Sequence, residues 1–104
     1  MRLRQAAKPD ANQAEIVAAL RAAGCSVWII GLPVDLLVGV PGSPGITLLM
    51  EVKTLTGKRD PKPARYTSLQ RDFMARWRGG TVVTVTDAEG ALRAVRVVTD
   101  VTPP

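Results

Sequence analysis

DLLVGVPGSPGITLLMEVK, residues 35–53, contains two apolar runs on either side of a turn that is rich in glycine and proline. Glycine and proline supply the backbone geometry that tight turns need. The two runs, residues 35–40 and 46–53, are therefore predicted to be antiparallel strands that form a hairpin. The functional prediction depends on this hairpin, because its register decides which charged side chains meet.

The predicted register brings two carboxylates together. If Val40 faces Ile46 across the turn, Asp35 lies directly opposite Glu51, and facing residues in such a pair have Cβ atoms about 4.5–5.5 Å apart. Lys53 joins them on the same face, because residues two apart in a strand point to one side. Like charges at this distance repel. A divalent cation would compensate, and carboxylate and backbone oxygens suit Mg²⁺ or Mn²⁺.

Each of these charged residues also has an ordinary structural interpretation. Asp35 could simply be a turn residue that opens a strand. Glu51 and Lys53 could form a modest ion pair on a solvated strand face. The matched register and the absence of histidine favour the site interpretation over these two alternatives.

The rest of the chain predicts an α/β domain. Its further elements are a helix at 10–23, a strand at 25–30, a helix from Thr67 to Gly79, a strand at 81–86 and a helix near 88–95. TSLQ and TDAE are predicted capping boxes at the starts of the last two helices. The strand at 25–30 is apolar on both faces, so it is predicted to be buried, and both tryptophans are predicted to lie in the core. The order α-β-β-β-α-β-α implies a mixed β-sheet flanked by helices.

Composition indicates one domain spanning residues 1–104, with its core at about 10–97 and loose termini. The apolar fraction is 46% and the charged fraction 22%, as in ordinary globular proteins. No apolar run reaches the roughly 20 residues that span a membrane. The single cysteine, Cys25, cannot form an internal disulfide and is expected to be a small buried hydrophobe, which fits a cytoplasmic location.

The charge balance favours a polyanionic partner. Lys and Arg total 14 against 9 acidic residues, a net charge of +5 with a pI near 10.2. DNA or RNA would supply phosphates for such a surface. The chain has no histidine. This excludes Ser-His and Cys-His catalysis and most zinc sites, so any chemistry would use carboxylates, lysine and a hard metal ion.

Asp35 followed by Glu51-Val52-Lys53 resembles the D…E-x-K core of the PD-(D/E)XK nuclease superfamily. The segments ANQAEIVAALRAAG, VDLLVG, LLMEVK and SLQRDFMARWRGGTVVTVTDAEGAL are similar, in order and spacing, to the VRR-NUC group of small stand-alone nucleases found in phage and prophage. The resemblance extends from about residue 10 to residue 95. It implies a restriction-endonuclease-like core.

The resemblance implies a metal-dependent endodeoxyribonuclease. Asp35 and Glu51 would bind Mg²⁺ or Mn²⁺ together with the backbone carbonyl of Val52. Lys53 would orient the attacking water and stabilise negative charge on the phosphate. A bound metal ion suits phosphodiester hydrolysis without histidine, since it lowers the pKa of water and offsets developing charge.

Two further positions match the group's pattern. Glu15, on the first helix, corresponds to an acidic residue that can complete the metal site, although it could equally be a solvated helix carboxylate. Gln70 corresponds to a glutamine near the active site, and it is also the third helical residue of the Thr67 capping box. One departure stands out. The group usually has proline immediately before the aspartate, whereas this chain has Val34 in between.

The expected partner is DNA, branched or flapped, because stand-alone members of the group resemble structure-selective junction resolvases that act as homodimers. Backbone phosphates would be bound by the basic residues that follow the hairpin, which are Lys58, Arg59, Lys62, Arg65 and Arg71. Alternatively, the loop that carries most of them is only a solvated connection. A rival function is a non-catalytic DNA-binding module on the same fold, and a weaker one is a protein-interaction domain of a phage replication complex.

Overall fold

Seven elements form a small α/β domain within residues 12–54 and 67–100, the parts of the chain that the computed structural model describes. They are α1 (Gln13–Ala22), β1 (Ser26–Ile29), β2 (Leu36–Val40), β3 (Ile46–Val52), α2 (Ser68–Arg76), β4 (Val82–Val85) and α3 (Ala88–Asp100). The predicted order α-β-β-β-α-β-α is therefore confirmed.

The four strands form one mixed sheet in the order β1-β2-β3-β4. The first three strands are antiparallel to their neighbours, whereas β4 runs parallel to β3. Parallel neighbours need a long crossover connection, and α2 lies in this one. Strands β2 and β3 pair from Val40↔Ile46 through Leu36↔Met50, which is the register predicted from the turn.

One face of the sheet supplies the core, together with α1 and α3. Val27, Val38 and Leu48 are adjacent across β1, β2 and β3, and all three are buried. Helix α1 contacts β1 and α3, and α3 contacts β4. Ile16, Val17 and Leu20 of α1 are buried, and so is Cys25. Burial also raises the pKa of the Cys25 thiol, in keeping with its expected role as a small hydrophobe.

The helix ends follow the capping signals with two corrections. Helix α1 begins at Gln13 and not at 10, and it ends at a Schellman motif in which Cys25 N–H donates to Leu20 C=O. Gly24 has φ +96° at this helix end, a backbone conformation that glycine adopts without steric cost. Helix α3 is capped by Asp87 instead of Thr86, because the Asp87 carboxylate accepts the Gly90 N–H at 2.7 Å.

Helix α2 begins with the predicted capping box, in which Thr67 and Gln70 bond each other's backbone N–H groups. Helix α3 continues five residues beyond its predicted end near 95. Val95 and Val98 pack against the core, and this tertiary contact overrides the low helix propensity of valine. No helix in the described part of the chain is long and apolar enough to cross a membrane.

Strand β1 is an edge strand, and the prediction that it is buried on both faces is wrong. Val27 is buried, but Trp28 is 68% exposed and Ile29 is 57% exposed. Trp28 lies on the face opposite Val27, whereas Ile29 lies on the same face as Val27 but ends the strand, so only Val27 is buried in this edge strand. Trp77 is also 45% exposed, so the prediction that both tryptophans lie in the core is wrong.

Candidate active site

Glu51 and Lys53 meet at the carboxyl end of β3. Lys53 Nζ lies 3.0 Å from Glu51 Oε2, and the side chains are 20% and 3% exposed respectively. The predicted placement of both residues on one face is confirmed. The alternative of a solvated surface ion pair does not fit, because the carboxylate is removed from water.

The second oxygen of Glu51 is the most unusual atom in the site. Within the described residues, Oε1 is a buried side-chain oxygen with no hydrogen-bond partner. Leaving a buried polar atom without a partner costs about 1–3 kcal/mol, and more when the group is charged. Such atoms are rare in native proteins and call for an explanation, of which a ligand ion is one. Glu51 can thus bind a cation through Oε1 while its Oε2 remains paired with Lys53.

Asp35 reaches the same end of β3 through its side chain. Its Oδ2 accepts the Val52 N–H at 2.8 Å. The Asp35 backbone carbonyl accepts the Ile30 N–H and the Gly31 N–H, so its backbone is bonded to the two residues that follow β1. The β2–β3 ladder includes Leu36 but not Asp35, so β2 begins one residue later than predicted. The Asp35 carboxylate accepts the Val52 N–H in place of the next backbone hydrogen bond of the ladder. Asp35 therefore contacts the residue next to Glu51.

Strand geometry also directs the Val52 carbonyl to the Asp35 side. In a strand, the N–H and C=O of one residue point toward the same neighbour. The Val52 N–H points to Asp35, whereas the next residue, Lys53, donates its N–H to Val85 C=O at 3.0 Å, toward β4. Two carboxylates and one main-chain carbonyl are thus associated with two successive positions of this strand end, Glu51 and Val52.

The additional valine before Asp35 is a core residue. Val34 is completely buried, whereas Pro33 before it is only half-buried. The loop that leads into β2 is therefore anchored in the core immediately before Asp35. The departure from the group's proline-aspartate pattern leaves the contact between Asp35 and β3 in place.

Asn12 is a site residue that the sequence did not indicate. It stands directly before α1, yet its side chain makes no capping bond. Its Nδ2 donates to Lys53 C=O at 3.2 Å and to Thr86 C=O, and its Oδ1 accepts the Thr54 hydroxyl at 3.1 Å. This one amide joins the carboxyl ends of β3 and β4 where Lys53 leaves the sheet. We therefore assign Asn12 a positioning role.

Replacing Asn12 distinguishes this positioning role from helix capping. Asn12→Ala is expected to lower the free energy of unfolding by about 1–2 kcal/mol, because two partly buried carbonyl groups lose their donor. Asn12→Asp is the sharper variant. Aspartate is as good an N-cap as asparagine, so a capping role predicts unchanged stability. The positioning role predicts a larger loss than in Asn12→Ala, because a carboxylate would face two carbonyl oxygens. Urea unfolding of the three proteins at pH 7 measures the difference.

Gln70 and Glu15 remain predictions as site residues. Gln70 is buried, and its Oε1 accepts the Thr67 N–H at 3.2 Å, so its structural role in the capping box is confirmed. Glu15 is exposed on α1. Among residues 12–54 and 67–100, no three His, Cys, Asp or Glu side chains form a group that could hold a metal. Glu15 therefore does not form such a group with Asp35 and Glu51.

Most of the predicted phosphate-binding residues, Lys58, Arg59, Lys62 and Arg65, lie outside the described residues. Arg71 lies on α2 with an exposed side chain. Its proposed contact with DNA stays a prediction.

The side chains at the end of β3 form a candidate site, and no relationship to known proteins identifies its function. Comparisons with protein-family models, curated proteins and solved structures found no match. The functional assignment therefore rests on the chemistry of Asp35, Glu51, Val52 and Lys53.

Proposed function

We propose that this chain is a metal-dependent DNA endonuclease that hydrolyses phosphodiester bonds and has a PD-(D/E)XK, restriction-endonuclease-like core. The observation that carries the proposal is the buried Glu51 carboxylate, whose Oε1 lacks a partner while its Oε2 contacts Lys53 at 3.0 Å. The Asp35 carboxylate accepts the N–H of Val52, the residue that follows Glu51. An acid pair and a lysine at one strand end suit phosphoryl chemistry in a chain without histidine.

The oxygen donors present fit a hard divalent cation. Mg²⁺ and Mn²⁺ prefer carboxylate, carbonyl and water oxygens. Asp35, Glu51 and the Val52 carbonyl would hold the ion, and the unpartnered Glu51 Oε1 supports this fit. When bound, the ion lowers the pKa of water and offsets the charge of an in-line displacement.

The protein's own contribution would come from position and charge. The ammonium group of Lys53 carries three donors, so its contact with Glu51 does not prevent it from also orienting a water or a phosphate oxygen. Charge held in place before the reaction stabilises a transition state effectively, since no reorganisation is needed. Two hydrogen bonds hold the Lys53 backbone. The Asn12 side-chain amide donates to Lys53 C=O, and Lys53 N–H donates to Val85 C=O.

DNA is the proposed substrate because the chain carries a net charge of +5. Arg71 and the basic residues Lys58, Arg59, Lys62 and Arg65 would contact backbone phosphates, which sets position and salt dependence but not sequence preference. Selectivity for branched or flapped DNA, and a homodimer presenting two equivalent sites, complete the proposal. Both rest on the resemblance to the VRR-NUC group.

One observation favours a second candidate function. The Lys53–Glu51 ion pair neutralises the buried carboxylate without a metal, as expected if the site were only a structural remnant. The chain would then be a non-catalytic DNA-binding module. The unpartnered Oε1 favours the nuclease, because an ion pair alone leaves that oxygen unsatisfied.

Cleavage assays with the native chain separate the two candidates. Duplex, single-stranded, flap and four-way junction DNA would each be incubated with Mn²⁺, with Mg²⁺ and with excess EDTA. We expect cleavage of at least one branched substrate with either metal and none in EDTA. Binding of DNA without cleavage of any substrate would contradict the nuclease and leave the binding module.

A further inference from the structure

An open groove lies between α2 and the loop that leads into β2. Its volume is about 350 Å³, and it is lined by Pro33, Leu69, Asp72, Phe73, Arg76 and Trp77. Leu69 lies on α2 and is 53% exposed, and Trp77, which follows the last residue of α2, is 45% exposed. The helix thus ends at Arg76, before its predicted end at Gly79. Large apolar side chains exposed side by side in a groove are a candidate binding surface.

The Trp77 indole in this groove is held in one orientation. Its Nε1–H donates to Gly80 C=O at 2.8 Å, and its ring lies 5.2 Å from the Phe73 ring, centroid to centroid. The indole also packs so closely on Gly79 that a Cβ there would lie 2.3 Å from Cζ2. An exposed ring fixed on three sides is a preformed surface for stacking, because little side-chain entropy remains to be lost on binding.

The groove adjoins elements that carry the candidate active site. Pro33 precedes Asp35 by two residues, and Leu69 precedes Gln70. Short stretches of chain therefore connect the lining of the groove to the candidate site. One of them leads from Pro33 to Asp35, whose carboxylate is bonded to Val52. The groove is not part of the metal and lysine chemistry, since none of its lining residues belongs to the predicted catalytic set.

The charges around the groove match a nucleotide better than an apolar peptide. Arg71, Arg76 and Arg78 lie on α2 or just after it. Arg76 is already oriented by Asp72, with Arg76 Nε at 3.0 Å from Asp72 Oδ1, and both side chains are largely exposed. A flat ring that stacks on an indole, joined to a phosphate near arginine, is the chemistry of single-stranded nucleic acid.

We propose that this groove binds an unpaired nucleobase of DNA, stacked on Trp77, next to the proposed cut site. The position of the base relative to a cut rests on the proposed function, but the binding of the base does not. The proposal gives a physical reason for a preference for branched or flapped DNA, because such substrates offer unpaired bases and a regular duplex does not.

Tryptophan fluorescence tests the stacking directly. In a Trp28→Phe background Trp77 is the only tryptophan, because the chain has two. Short single-stranded DNA would be titrated in EDTA, so that no cleavage occurs, and matched against an oligonucleotide of the same length with abasic sites. We expect quenching by the normal oligonucleotide and little by the abasic one, since both carry the same phosphates.

Two variants locate the effect. Trp77→Ala is expected to weaken binding of single-stranded DNA about 5- to 150-fold, the range for loss of one stacked base. Gly79→Ala keeps the indole but forces it away from its place, so affinity should fall as well. Trp28→Phe is the matched control, because Trp28 is exposed but does not line the groove, and its affinity should be unchanged.

Three outcomes would overturn the proposal. One is equal quenching and affinity with the abasic oligonucleotide, and another is unchanged affinity of a folded Trp77→Ala protein. The third is a change of Trp77 fluorescence with protein concentration alone, which would identify a second copy of the chain as the occupant. Quenching in EDTA by a protein that never cleaves DNA would keep the base site and reject only the nuclease.

Discussion

Replacing Lys53 with methionine is expected to reduce DNA cleavage at least about a hundredfold, because a charge held at the reacting phosphate is lost. The same variant should lose about 2–3 kcal/mol of unfolding free energy in metal-free buffer. Glu51 would then be a buried carboxylate with neither oxygen paired, and breaking a buried ion pair in this way is strongly destabilising. The partial exposure of Lys53 keeps the loss below the roughly 3–5 kcal/mol typical of a fully buried pair.

A double variant provides the control for this effect. Glu51→Met/Lys53→Met removes both charges, and hydrophobic residues of similar volume can replace a buried ion pair with little loss of stability. We expect the double variant to recover most of the unfolding free energy lost by Lys53→Met, yet to remain inactive. Activity equal to that of the native chain in Lys53→Met would point to a contaminating nuclease or to another site.

Glu51→Gln alone should abolish both cleavage and stabilisation by metal. At a Mn²⁺ concentration a hundred times its dissociation constant, ligand binding stabilises the native chain by about 2.7 kcal/mol. This corresponds to a rise of about 12 °C in the melting temperature of a domain of this size. The variant should show no rise. Its stability without metal should stay within about 1 kcal/mol of native, because Lys53 is exposed enough to turn toward water.

Differential scanning calorimetry with Mn²⁺, Mg²⁺ and EDTA measures this prediction, and Glu15→Gln is a useful comparison. Glu15 is exposed on α1, so its variant should retain the metal-dependent rise if Asp35, Glu51 and Val52 suffice as ligands. A rise of equal size in Glu51→Gln would place the metal elsewhere. Absence of any rise in the native chain would remove the metal site from the proposal.

The hairpin and its register could be predicted because a local signal determined them. The PGSPG turn joins two apolar runs, and a turn of fixed length leaves one pairing. The register found, Val40↔Ile46 through Leu36↔Met50, follows from that turn. The capping box at Thr67 and the Schellman motif at Gly24 are equally local, and both were predictable.

The remaining features depend on contacts between distant parts of the chain. Nothing in the sequence around Trp28 distinguishes an edge strand from a central one, so its exposure could not be predicted. Asparagine commonly caps helices, yet the Asn12 side-chain amide donates hydrogen bonds to residues 41 and 74 positions away along the chain. Asp35 was placed opposite Glu51 by register, whereas a side-chain bond to Val52 is what holds it.

The long reach of Asn12 has a consequence for synthesis of the chain. Lys53 is held by an amide near the start of the domain and by Val85 near its end. Contacts of such large sequence separation form only after the intervening loops have closed. A nascent chain therefore cannot complete this site until β4 has left the ribosome. A hydrolase assembled in this order would stay inactive toward the nucleic acids around it until β4 had been synthesised.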